Sequence, residues 1–303
     1  MSNHLSGPPL WAGFLRVLPA LLLGALLAGC QSSREALQQL ADAHGRQLEI
    51  LQGQPFPLVM LAPQGIAKAT RLRVYLESDG HAWATATQPS LDPSPHNLLV
   101  ARLAVDDPTP NAYLARPCQF VMAPSCEPAL WTNRRFSQEV VTSLSQALDQ
   151  MKQRYGCREF ELVGYSGGAA LALLLAAQRD DVTFVQTLAG NLSPRLWTQM
   201  KGLSSLSGSL DPLDYRDRLA AIPQRHLVGD ADDVIPALLS KAYLERLHPY
   251  VYSQVAISPA TDHEQGWEIA WKIWRDKPLN CESKRPQTRT DSPSAKQLSP
   301  AIQ

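Results

Sequence analysis

The pentapeptide Gly164-Tyr165-Ser166-Gly167-Gly168 constrains this chain more than any other stretch. Its G-x-S-x-G pattern is weak alone, but the flanks give it a context. Glu159-Phe160-Glu161-Leu162-Val163 before it is a short β-type run, and Ala169 to Ala177 after it is a row of strong helix formers. Strand, tight turn and helix together make a nucleophile elbow. The serine hydroxyl is lifted above a sheet, and the free N–H groups of a helix N-terminus point at the same place. Small neighbours are required because strand and helix approach closely there. The plain alternative is a glycine-rich turn with an incidental serine.

Runs of strand and helix alternate around this point. Strand-like segments fall at Phe56–Leu61, Leu72–Leu76, Ala112–Ala115, Val182–Leu188, Arg225–Val228 and Tyr250–Ile257. Helix candidates fall near Leu98–Val105, Gln138–Tyr155, Pro236–Leu247 and Gln265–Trp274. This alternation predicts an α/β fold, a mainly parallel sheet with helices on both faces. Residues 31 to about 53 are polar and helix-prone and read as a tether plus an N-terminal helix. The 191–223 connection is longer than a crossover needs. Its Trp197, Met200 and Leu203 either line a pocket or pack a small cap onto the core. From Glu282 onward the chain is polar and Ser/Pro-rich, the composition of a disordered tail.

A serine needs a base, and the base needs an orienting acid. In the fold that carries this elbow the chain order is serine, acid, histidine. His248 precedes the last strand and so falls at the wrong edge of the sheet. His263 follows that strand and falls at the edge where Ser166 sits. The acid should follow the preceding strand, where Asp230, Asp232 and Asp233 compete, and the plain alternative for Asp232 is a helix N-cap. For His263 it is a surface loop histidine beside Asp262.

With 28 basic and 28 acidic residues in 303, no nucleic-acid partner is indicated. Arg16 precedes the apolar run Val17–Leu27, too short to span a bilayer but suited to a signal peptide over residues 1–29. Four cysteines remain after Cys30, an even number that in an exported chain suggests disulfides. Cys118 and Cys126 share one loop at the C-terminal edge of the sheet, while Cys157 and Cys281 belong at the other edge. The expected pairs are therefore Cys118–Cys126 and Cys157–Cys281.

These motifs resemble the α/β-hydrolase superfamily, and more narrowly the lipid-anchored bacterial hydrolases of unassigned substrate. The narrower likeness rests on Glu77 to Trp83, Asp92 to Pro95, Arg116-Pro117-Cys118-Gln119, Ser209 to Pro212 and His263 to Trp267. The resemblance implies an α/β-hydrolase fold over 54–281, with a small cap of about 191–223 between the sixth and seventh strands. It selects Asp232 as the acid. It implies an oxyanion hole from the N–H groups of Gly167 and His81, although Asp79 stands where a histidine is common. Leu27-Ala28-Gly29-Cys30 resembles the bacterial lipobox, which implies cleavage before Cys30 and acylation of its thiol. Gln31 implies sorting to the outer membrane, facing the periplasm.

The function expected is a serine hydrolase cleaving an ester or related acyl bond of a small molecule or lipid through an acyl-enzyme, with no cofactor. A peptidase or amidase on the same triad is the second reading, and an inactive envelope scaffold the third. A metal site from Asp79, His81 and His96 lacks compact ligand spacing.

Overall fold

The computed structural model describes residues 31–63, 69–247 and 252–279. Eight strands form one sheet in the order β1-β2-β4-β3-β5-β6-β7-β8. They are β1 Arg46–Leu51, β2 Leu58–Pro63, β3 Arg71–Leu76, β4 Asn111–Leu114, β5 Glu159–Tyr165, β6 Val182–Leu188, β7 Gln224–Gly229 and β8 Ser253–Ser258. Only β2 is antiparallel to its neighbours, pairing with β1 and β4, and every pairing from β4 through β8 is parallel.

The eight helices among the described residues are α1 Ser33–Ala43, α2 Leu99–Val105, α3 Gln138–Tyr155, α4 Gly167–Gln178, α5 Pro194–Lys201, α6 Arg216–Leu219, α7 Ala237–Leu247 and α8 Trp267–Trp274. Alternate strand residues feed two separate cores. On one face Leu72, Val74, Phe160 and Leu162 meet α3, α4 and α7. On the other, Tyr75, Tyr113, Val163 and Leu227 meet α1, α2 and the tryptophans Trp267 and Trp271 of α8. Helix α4 is buried from Gly167 through Ala176, as an all-apolar helix must be.

The N-terminal segment holds the expected helix but, in place of a tether, also a strand. A Ser32–Glu35 capping box starts α1, which ends at His44. Residues 46–51 then form β1, an edge strand in full antiparallel register with β2. Residues 33–51 are thus part of the fold, with Leu37 and Ala41 fully buried, rather than a tether. The signal-peptide and Cys30 expectations, His248, Cys281 and the C-terminal tail lie outside the described residues. Cys118 and Cys126 are joined by a disulfide. Cys157 is buried just beyond α3.

Candidate active site

Ser166 sits between β5 and α4 with φ 52° and ψ −118°, a conformation costly for any residue with a Cβ. The surrounding glycines are forced by contact. A Cβ on Gly164 would lie 2.6 Å from Ala169 Cα, and one on Gly168 would lie 2.6 Å from the carbonyl oxygen of Glu77. The elbow therefore rests directly on the end of β3.

Three side chains from separate elements meet at this corner. Ser166 Oγ is 3.1 Å from His263 Nε2. His263 Nδ1 is 3.0 Å and 3.2 Å from the two oxygens of Asp232. Asp232 is the only one of the three competing aspartates that is buried, and its carboxylate also accepts the N–H groups of Val234 and Ile235 at 3.0 and 2.8 Å. It thus braces the loop before α7 while facing the imidazole. Asp230 points elsewhere and accepts the Thr261 N–H at 3.2 Å. The His263 loop is tied to the elbow itself, since Tyr165 Oη donates to the His263 carbonyl. Trp267 Nε1 donates to the same carbonyl at 3.2 Å, and Asp262 accepts the N–H groups of Glu264 and Gln265.

The loop after β3 carries a correction. Gly80 has φ +62°, and a Cβ there would lie 2.7 Å from Gln119 Nε2. The turn directs the His81 N–H onto the carbonyl of Pro93 at 3.1 Å, so that N–H is not available as an oxyanion donor. The N–H groups of Ser78 and Gly80 are likewise engaged, by Glu77 Oε1 and Ser78 Oγ. Asp79 N–H has no hydrogen-bond partner among the described residues. The His81 ring stacks on His96 with centroids 4.5 Å apart.

Sequence reasoning missed what holds Asp79. Its carboxylate lies against Gly167, where a Cβ would come within 2.6 Å of Asp79 Cγ, and it is paired with Arg116 and, at 2.6 Å, with Arg135. Burial pushes the Asp79 carboxyl up, but the two guanidinium groups outweigh it and hold the group below its ordinary value. This pairing also takes Asp79 away from any metal set with His81 and His96. Beneath it, burial raises the Glu77 carboxyl, which accepts hydrogen bonds from Ser78 N–H and Tyr113 Oη. Several motif residues brace these loops. Gln119 accepts the Arg116 N–H and donates to the Ser78 carbonyl, and Ser94 Oγ accepts the Phe120 N–H. Asp211 accepts from Ser193 Oγ and fixes the start of the cap.

Ser166 and His263 open onto a cleft of about 540 Å³, with Asp232 buried behind the imidazole. A second cavity of about 650 Å³ continues it under the cap, sharing Trp83, Arg135 and Trp197 with the first. Of the cap residues weighed as pocket lining, Trp197 lines both cavities and Leu203 the second. Leu206 and Leu210 pack against the core.

No family model and no curated protein matches the chain. Solved structures do. An esterase of Pyrococcus furiosus superposes with a TM-score of 0.56 at 10% identity, covering 78% of this chain and 90% of that one. Est1E from Butyrivibrio proteoclasticus superposes with a TM-score of 0.52 at 13% identity, covering 75% and 94%. With its mostly parallel eight-stranded sheet, the chain shares their architecture: it has the α/β-hydrolase fold.

Proposed function

We propose that the chain is a serine hydrolase acting on an ester. The observation that carries this reading is the continuous contact from Ser166 Oγ through His263 to the buried Asp232, built on a strained elbow. With the Nδ1 proton donated to Asp232, Nε2 accepts the hydroxyl proton as Oγ attacks the carbonyl carbon. The tetrahedral oxyanion is received by the N–H of Gly167 and, in place of His81, by that of Asp79. Each such donor is typically worth about 3–4 kcal/mol in the transition state. Collapse expels the alcohol, which takes the proton from His263. Water then attacks the acyl-enzyme, gives its proton to His263 and releases the acid, and Ser166 regains its hydrogen. The names of the structural relatives favour an ester over an amide, since one is called an esterase.

The anchor belongs to the same proposal. Cys30 is acylated after removal of residues 1–29, and the enzyme faces the periplasm from the outer membrane. Mass spectrometry of the membrane-extracted protein checks this: an N-terminal peptide that begins at Met1 or carries an unmodified Cys30 removes the anchor.

The activity test is fluorophosphonate labelling of the full chain in detergent beside Ser166→Ala, with p-nitrophenyl acetate to octanoate hydrolysis in parallel. Labelling and turnover that vanish in the variant are expected. A folded protein with neither would leave the scaffold reading in first place.

A further inference from the structure

Strand β6 ends at Leu188, and the chain turns sharply through Ala189, whose φ is 46°. The turn delivers Asn191, whose N–H donates to the carbonyl of Ser166 at 3.0 Å. Two residues on, Ser193 Oγ is held by the Asp211 carboxylate at 2.8 Å. Asn191 is therefore fixed from both sides to the residue that carries the reactive hydroxyl. It is 3% exposed and lines the cleft.

Its carboxamide oxygen is buried and has no hydrogen-bond partner among the described residues. Among the described residues, this is the only such side-chain atom that belongs to a residue of the cleft. A buried acceptor left unpaired is destabilising, and such groups in native proteins are normally satisfied. The same cleft is also lined by the polar side chains of Ser78, His96 and Asn97.

We infer that Asn191 is a specificity-determining residue: its carboxamide oxygen accepts a hydrogen bond from a hydroxyl that the substrate carries close to the scissile carbonyl. The inference rests on the ester-hydrolase reading and narrows it to hydroxylated esters. That oxygen is already shut off from water in the free protein, so a plain alkanoyl ester leaves it unpaired while a substrate hydroxyl that reaches it satisfies it, and a site built to pair a hydroxyl discriminates strongly against the analogue that lacks one. The hydroxyl has two possible carriers, the acyl group and the alcohol.

Both are tested with the full chain in detergent. The acyl arm compares p-nitrophenyl butyrate with its 2-hydroxy and 3-hydroxy counterparts. The alcohol arm compares propyl butyrate with glycerol monobutyrate. The expected result is a kcat/KM advantage of about tenfold or more for the hydroxylated ester in one arm. Asn191→Leu should bring that ratio close to one, whereas Asn191→Asp, which keeps an acceptor, should retain a preference. Thermal unfolding checks that each variant is folded, and Asn191→Ala serves should the leucine variant fail to fold. An equal rate for both esters in both arms, or a preference that survives in Asn191→Leu, overturns the inference. Fluorophosphonate labelling separates the two failures. A labelled enzyme that hydrolyses esters without regard to hydroxyls leaves the hydrolase reading standing. An unlabelled, inactive protein removes both.

Discussion

At the scale of single residues, Ser166 holds a backbone conformation that its Cβ opposes, at a typical cost of about 1–3 kcal/mol. Glycine adopts that conformation freely but loses more entropy on folding. Ser166→Gly should therefore raise stability by about 1 kcal/mol while abolishing turnover, whereas Ser166→Ala keeps the strain. Paired thermal melts decide it: a glycine variant no more stable than the alanine one would mean that the elbow is unstrained. Asp79 makes the opposite case. Asp79→Asn leaves the guanidinium groups of Arg116 and Arg135, both nearly inaccessible, without their counter-charge. Breaking a buried pair in this way typically costs about 3–5 kcal/mol. Urea unfolding should show a loss of that size, and a loss under 1 kcal/mol would mean that water already screens the cluster. Ser166 and His263 were legible in the sequence because a turn between strand and helix, and a fixed chain order, leave local marks. Asp232 was chosen from three aspartates by resemblance. The partners of Asp79 left no such marks, since they arrive from 37 and 56 residues away and no spacing announces them. His81 failed as a donor for a related reason. Sequence placed it after the right strand but could not show that Pro93 folds back to take its N–H.

Among the elements, the contact of α4 with the end of β3 is a tight constraint on the site. Gly168 faces two backbone carbonyls, those of Leu76 and Glu77, which cannot swing aside as a side chain would. Gly168→Ala should cost about 3 kcal/mol, the upper part of the range for overpacking. In a domain of this size that lowers Tm by about 6–12 °C. Because the shift separates β3 from the helix, it also moves Asp79 away from Gly167. Calorimetry with a parallel labelling rate tests both consequences, and a variant with unchanged Tm would show that the strand end yields. Most elements were legible from their periods, but β1 was not. Its sequence Arg-Gln-Leu-Glu-Ile-Leu lacks strict alternation, and its burial is mixed, as befits an edge strand covered in part by α1. Helix propensity in Leu and Glu then outweighed a strand signal that only the pairing with β2 supplies.

For the molecule as a whole, the alternation of strands and helices announced a parallel sheet but not its order. That β4 inserts between β2 and β3 is decided by long-range pairing. The same sheet buries a group that makes stability depend on pH. His226 on β7 is fully buried, with Nδ1 against Thr187 Oγ1 at 2.9 Å, Tyr243 edge-on at 5.6 Å and, among the described residues, no hydrogen-bond partner for Nε2. Burial pushes its pKa from 6.5 down to about 3. Above pH 6.5 the ring is neutral in both the folded and the unfolded chain, and stability is at its full value. As pH falls below that point the unfolded chain binds a proton that the folded one refuses. Stability then declines by up to about 1.4 kcal/mol per pH unit until the folded pKa is reached. Between pH 7.5 and pH 4.5 the loss assigned to this one ring is about 3 kcal/mol. His226→Asn, which carries no proton in this range, should lack that part of the acid sensitivity. It should be less stable than the parent at pH 7.5, yet lose less on acidification. Carboxylates such as Glu77 and Asp79 titrate in both proteins, so their effects cancel in the comparison. Urea midpoints at the two pH values give the difference directly. Equal losses in parent and variant would mean that the ring is hydrated in the folded state and that its proton is not what acid unfolding supplies.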